Sequence, residues 1–315
     1  MKPSKILDKL GLELTNDPHK NRRYIAELAI AYTFVVLALY LISTLAAPLL
    51  ITSSNDFLRG QAALNYMINV YMCHQLPERS TFIFGEQVGI CERDFAIFLA
   101  ALLAYPAASM RKRFPRSMQS WPFVVAALIP IAADGFMQLF GMEESTSYMR
   151  FATGLIAGFA VTYFLIASLL DQYSTGKSFF RRGIALPTAI PLALLIIPLL
   201  AAGAYVGMNY KSADYVLGQA TAMNGNADYY GARYIAPHAT RMVPSDPYLG
   251  KYSDPILHDV ANYREFRPHE FGVWVVLALD GQPEYLGKYI YLSKGAGDYY
   301  YFDAWTGQLI IHTNH

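Results

Sequence analysis

Both cysteines of the chain fall in one stretch, Cys73-His74-Gln75-Leu76-Pro77-Glu78-Arg79-Ser80, continued at Cys91-Glu92-Arg93-Asp94. Thiolate, imidazole and carboxylate are ligand types of zinc, so Cys73, His74, Cys91 and Asp94 form a candidate metal set. Adjacent residues on a helix point about 100° apart, which counts against Cys73 and His74 sharing one ion. The same cysteines could instead close a structural disulfide around a loop of about 18 residues, contributing about 3 kcal/mol in an oxidising compartment. A redox-active pair is the third option, although no Cys-x-x-Cys spacing is present to lower a thiol pKa.

Two later segments carry further chemistry. Asp134 and Gln138 are one helical turn apart inside an otherwise apolar run. Glu144 and Arg150 follow shortly after. His74 and Asp134 are candidates for acid–base work. Arg79, Arg93 and Arg150 offer bidentate donors to an anion, with Gln138 and Glu144 as polar neighbours.

The elements that must position these residues are membrane spans. Hydrophobic residues make up 54% of the 315-residue chain and charged residues 16%, whereas soluble domains are nearer a quarter charged. Five apolar blocks approach the roughly 20 residues that cross a bilayer: Tyr24–Ile51, Asp94–Ser109, Trp121–Phe140, Tyr148–Leu170 and Ala185–Val206. The second is short and starts near Cys91, which puts Arg93 and Asp94 in its first turn. The first starts too late and runs too long for a cleaved signal, and reads as a retained anchor.

Lys and Arg crowd alternate loops. They precede the first span (Lys2 to Arg23), lie between the second and third (Arg111, Lys112, Arg113, Arg116), and between the fourth and fifth (Lys177, Arg181, Arg182). Excess positive charge marks the cytoplasmic side, so the N-terminus is expected inside and the C-terminus outside the cell membrane. The net charge of +1 leaves no basic surplus for nucleic acid.

Three parts follow: a basic cytoplasmic leader at 1–23, a transmembrane domain at 24–208, and an extracytoplasmic α+β domain at 209–315. After the first span, Asn55 is expected to cap a helix from Asp56 to Met72 that lies at the interface or partly re-enters the membrane. Thr81–Ile90 reads as a loop. Gly154 and Gly158 form a small-xxx-small pair suited to close helix packing. In the tail, Ser212–Met223 reads as a helix and Val273–Leu279, Tyr289–Leu292, Tyr299–Asp303 and Leu309–His312 as strands, with turns at Asp280-Gly281 and Thr306-Gly307. The tail histidines His238, His258, His269, His312 and His315 lack ligand spacing and read as surface residues.

This topology gathers His74, Arg79, Cys91, Arg93, Asp94, Asp134, Gln138, Glu144 and Arg150 at the outer face. Asp134 lies only about 10 Å below the outer end of its span. Charge in hydrocarbon is costly and marks a pairing network or a site.

Cys-His-Gln-x-Pro-x-Arg-Ser at 73–80, Cys-x-Arg-Asp at 91–94, Asp-Gly-x-x-Gln at 134–138 and Glu-Ser-Thr-Ser-x-x-Arg at 144–150 resemble, in order, the membrane-protein family called domain of unknown function 2085. The resemblance covers roughly residues 60–170. Asp94 stands where many members have another cysteine, and Ser147 where an asparagine is common. The ending Tyr301-Phe302-Asp303-Ala304-Trp305-Thr306-Gly307-Gln308-Leu309-Ile310 resembles the closing hairpin of a PepSY-type domain. Neither resemblance implies an activity.

Two classes of function fit. One is an outer-leaflet site that binds, and could process, an anionic group such as a lipid phosphate, with zinc as a candidate cofactor. The other is a non-catalytic subunit or assembly factor. There the polar network and a Cys73–Cys91 disulfide hold the fold, and the tail docks a membrane-protein partner.

Overall fold

The computed structural model describes residues 18–140, 142, 145–173, 186–223, 229–237, 256, 259–260, 271–279 and 297–314. The chain divides into two compact units, each built from two stretches. The first comprises Met1–Ile42 with Arg93–Leu199, and the second Ser43–Glu92 with Leu200–His315.

Helix α1 (Pro18–Ile51) contributes its first part to the first unit, which continues with α3 (Glu92–Ser109), α4 (Trp121–Leu139), α5 (Ser147–Tyr173) and most of α6 (Leu186–Asn209). Its core joins Ile30 of α1, Ala104, Tyr105 and Ala108 of α3, and Tyr163, Ile166, Ala167 and Leu170 of α5. Alanines dominate the α3 side of that core, because small side chains let helices approach closely where no hydrophobic drive separates helix from lipid. Outward positions such as Ile129, Leu139, Leu165 and Leu194 are large, apolar and exposed. A helix apolar all round belongs in a membrane or a large core.

Four stretches are long and apolar enough to cross a membrane: Tyr24–Ile51, Trp121–Leu139, Ser147–Gln172 and Pro191–Met223. The fifth expected span, α3, is helical, but Glu92, Arg93 and Asp94 occupy its first turn. Its apolar part from Phe95 onward falls short of the roughly 20 residues required. Among the described residues the count by length and composition is therefore four.

The second unit holds helix α2 (Asp56–Asn69), the strands β1 (Ser80–Ile83) and β2 (Glu86–Cys91), helix α7 (Ala213–Met223), and a four-stranded antiparallel sheet ordered β3 (Tyr229–Ile235), β4 (Val273–Leu279), β5 (Gly297–Asp303), β6 (Leu309–Asn314). Asn55 caps α2 as expected, its side chain accepting the Leu58 N–H at 3.1 Å. Three polar residues of α2, Arg59, Asn65 and Asn69, are buried and bonded within the unit. Arg59 donates to the Tyr210 carbonyl at 3.1 Å, and Asn65 to Ser43 Oγ at 2.9 Å.

The near-continuous apolar run of β4 reflects burial on both faces. Trp274, Val276 and Ala278 enter one core with Tyr66 and Tyr210, while Val273, Val275 and Leu277 enter another with Leu76 and Ile256. Tyr299 and Tyr301 point to the second core and Tyr300 to the first, so the tyrosine cluster is strand faces. The closing hairpin is present: β5 and β6 pair across a turn in which Asp303 Oδ1 accepts the Trp305 and Thr306 N–H groups and Gly307 takes φ +72°. Strand β3 escaped the sequence reading. The expected strand at 289–292 and the Asp280-Gly281 turn lie outside the described residues.

The expected loop at Thr81–Ile90 is instead a hairpin of β1 and β2. Phe84 and Gly85 form its turn, both at positive φ. That geometry suits the twist of a two-residue hairpin, but it normally draws Asn-Gly, and Phe at the first position concealed it.

Candidate functional site

The predicted site residues divide between the two units. Arg93, Asp94, Asp134, Gln138 and Arg150 belong to the first, and Cys73, His74, Arg79 and Cys91 to the second. Glu144 lies outside the described residues.

In the first unit, three helix ends meet. Arg93 is the second residue of α3, Asp134 lies in the penultimate turn of α4, and Arg150 is the fourth residue of α5. Arg93 Nη2 donates to Asp134 Oδ2. The Asp134 side chain is 2% exposed and that of Arg93 21%. The other carboxylate oxygen, Oδ1, is buried without a hydrogen-bond partner among the described residues, and so is Arg93 Nε. Gln138, one turn beyond Asp134, is buried on the same helix. Arg150 is buried too, and its Nη2 donates to the Ser145 carbonyl.

Packing explains how Arg150 reaches this end of α3. A Cβ on Gly154 would sit 2.5 Å from the Arg93 carbonyl oxygen, and one on Gly158 2.4 Å from that of Ile97. Both distances are shorter than any real contact, so the glycine pair is what lets α5 lie against α3 backbone to backbone. Arg150 stands one turn before Gly154 on the same face, beside the start of α3. At the other end of the same two helices, Arg111 pairs with Asp171.

In the second unit, the cysteine–histidine motif folds onto the β1–β2 hairpin. Cys73 Sγ accepts the N–H of Cys91 at 3.0 Å and of Gln75 at 3.4 Å. The two sulfurs lie within 4.8 Å of each other. Thiols so placed suit a disulfide or two positions of a zinc site. Cys73 is buried and the neighbouring His74 exposed, the divergence expected of adjacent residues. Arg79 is half-buried at the end of a 3-10 turn, Pro77–Arg79.

Sequence reasoning passed over the residues that hold this segment. Gln75 donates to the Tyr66 and Gly89 carbonyls at 2.8 and 3.0 Å. Gln87 donates to the Gln75 carbonyl at 2.5 Å and to Ser80 Oγ at 3.1 Å, and Ser80 donates to the Leu76 carbonyl at 2.9 Å. Their signal was present: Gln75 and Ser80 are fixed letters of the motif, and they serve to stitch backbone rather than to do chemistry.

A buried acid lies nearby in the same unit. Glu86 Oε2 accepts the Tyr234 N–H at 3.3 Å. Burial pushes its carboxyl up to about 8, with the Arg233 charge and the Tyr234 hydrogen bond opposing. Tyr234 also accepts a 2.6 Å hydrogen bond from Tyr210 and donates to the Phe271 carbonyl.

The family of predicted membrane proteins designated DUF2085 matches residues 73–164, a stretch that takes in every residue proposed above for the site. An uncharacterised protein of Methanocaldococcus jannaschii is 34% identical over 149 residues, 45% of this chain and 94% of that protein. The chain belongs to the DUF2085 family. A second uncharacterised relative, from Methanothermobacter thermautotrophicus, is 37% identical over 90 residues, 28% of this chain and 78% of its own length. No solved structure matches the chain. The two relatives are thus matched by less than half of this chain, and the stretch that the family matches contains all four motifs.

Proposed function

We propose that the chain is a multi-pass protein of the cell membrane, N-terminus cytoplasmic and C-terminal domain outside, whose Arg93–Asp134–Arg150 cluster binds an anionic group such as a lipid phosphate at the outer face. The orientation rests on the Lys and Arg distribution among the loops.

One observation carries the binding reading: the Arg93–Asp134 pair is only half satisfied, and the two atoms left over are buried. Arg93 Nε is a donor lacking an acceptor and Asp134 Oδ1 an acceptor lacking a donor, among the described residues. Each buried polar atom left so costs about 1–3 kcal/mol. A phosphate ester with a neighbouring hydroxyl supplies both missing partners, the phosphate oxygen to Nε and the hydroxyl to Oδ1. Arg150, buried at the same helix end, adds a second guanidinium of the kind that recognises phosphate.

Titrating glycerol 3-phosphate onto the purified chain tests this. The melting temperature of the wild type should rise with ligand concentration, as for any ligand that binds only the folded state. Arg150→Gln should abolish the rise. An unchanged melting temperature, or an equal rise in the variant, would leave the cluster as a lock between helices, the role it has in the non-catalytic-subunit reading.

A further inference from the structure

A groove of about 490 Å³ runs between α3, α4 and α5, lined by Ala100, Leu103, Phe123, Ala126, Ile156 and Phe159 among others, all of them apolar. That volume lies in the range of ligand sites, roughly 300–1,000 Å³. These are the three helices whose ends carry Arg93, Asp134 and Arg150.

The offset between the two features is similar on each helix. Ala100 and Leu103 follow Arg93 on α3, Phe123 and Ala126 precede Asp134 on α4, and Ile156 and Phe159 follow Arg150 on α5. At about 1.5 Å per residue, the groove occupies a band roughly 9–16 Å along each helix from the charged cluster. A molecule spanning both must be ionic at one end and aliphatic at the other.

We propose that the groove holds an acyl chain of an anionic phospholipid whose phosphate lies at Arg93 and Arg150. This rests on the anion-binding reading above and adds the ligand's class. The lining excludes a polar occupant, since nothing in it can replace lost hydrogen bonds to water. The guanidinium groups at the head end select for negative charge. Hydrocarbon gains little on leaving one apolar medium for another, so the groove contributes fit to the chain while the charged end contributes the preference among lipids.

The experiment uses the full chain in detergent and native mass spectrometry. The probes are dipalmitoyl phosphatidylglycerol, dipalmitoyl phosphatidylcholine and glycerol 3-phosphate. One phosphatidylglycerol should be retained per chain in preference to phosphatidylcholine. Leu103→Trp and Ala126→Trp replace exposed groove residues, so the fold should tolerate them. Each should weaken phosphatidylglycerol by roughly 10-fold, because an indole projecting into the groove overpacks it and the chain loses its fit. Neither should alter the response to glycerol 3-phosphate. Wild-type lipid retention in both variants, or equal retention of phosphatidylcholine, overturns the groove proposal while glycerol 3-phosphate binding stands. Failure of all three probes overturns the head site as well.

Discussion

Arg93 and Asp134 form an ion pair across two helices, and the carboxylate is almost wholly buried while the guanidinium keeps some exposure. The pair joins residues far apart in the chain, one at the start of α3 and one near the end of α4. Its consequence is energetic before it is functional: neither charge can be removed alone without stranding the other.

Asp134→Leu should therefore lower stability by about 3–5 kcal/mol, and Arg93→Met should do the same. The double variant should recover most of the loss, because two apolar side chains leave no charge behind. Thermal melting in detergent of the two single variants and the double variant measures the coupling. Simple addition of the two single losses would show that the residues do not act as a pair.

Gly154 and Gly135 make a matched test of close packing. A Cβ at Gly154 meets the Arg93 carbonyl, whereas one at Gly135 meets nothing within 4 Å. Gly154→Val should cost about 1–3 kcal/mol by forcing α5 from α3. Gly135→Ala should be neutral or add up to about 1 kcal/mol, since alanine is the better helix former. The melting temperatures of the two variants should move apart.

Glu86 predicts a pH dependence. Burial raises its folded-state value to about 8, above the ordinary carboxyl value of 4.5. The folded chain thus holds a proton that the unfolded chain has released, and stability falls as pH rises between those limits. The contribution is intact below 4.5 and lost above about 8. Within that window the slope is on the order of 1 kcal/mol per pH unit. Urea titrations from pH 5 to 8 should show the decline, and Glu86→Gln should flatten it.

Cys73 and Cys91 should form a disulfide when the chain is exported to an oxidising side. Alkylation of unreduced protein should then modify neither residue, and both after reduction. Cys73→Ser and Cys91→Ser should each cost about 3 kcal/mol, the scale expected for a loop of this size. Modification of both thiols before reduction, with zinc bound one to one, would assign the pair to a metal instead.

Much of this was legible in the chain. Long apolar runs can only be helices in a membrane, since every backbone group must find its partner within the segment. The C-terminal end of α1, the extents of α4 and α5 to within a few residues, the Asn55 cap and the strand Val273–Leu279 follow from local signals of this kind. The Gly154–Gly158 pair also announced its packing role. The hairpin at 80–91 did not, because its positive-φ turn begins with Phe84 rather than Asn. Nor did the burial of Arg59 and Asn65, whose polarity suggests an exposed or interfacial face. Their partners, Tyr210 and Ser43, lie at distant positions, and no local pattern points to them.

The sequence by itself determined which segments are apolar helices, which residues carry charge into them, and which motifs recur in order. Those are properties of composition and spacing. Tertiary structure alone decided that Arg93 takes Asp134, that Gln75 and Ser80 hold backbone, and that the two cysteine sulfurs lie within reach of each other. Each of these depends on which helix or strand faces which, and that is settled by packing between segments distant in the chain.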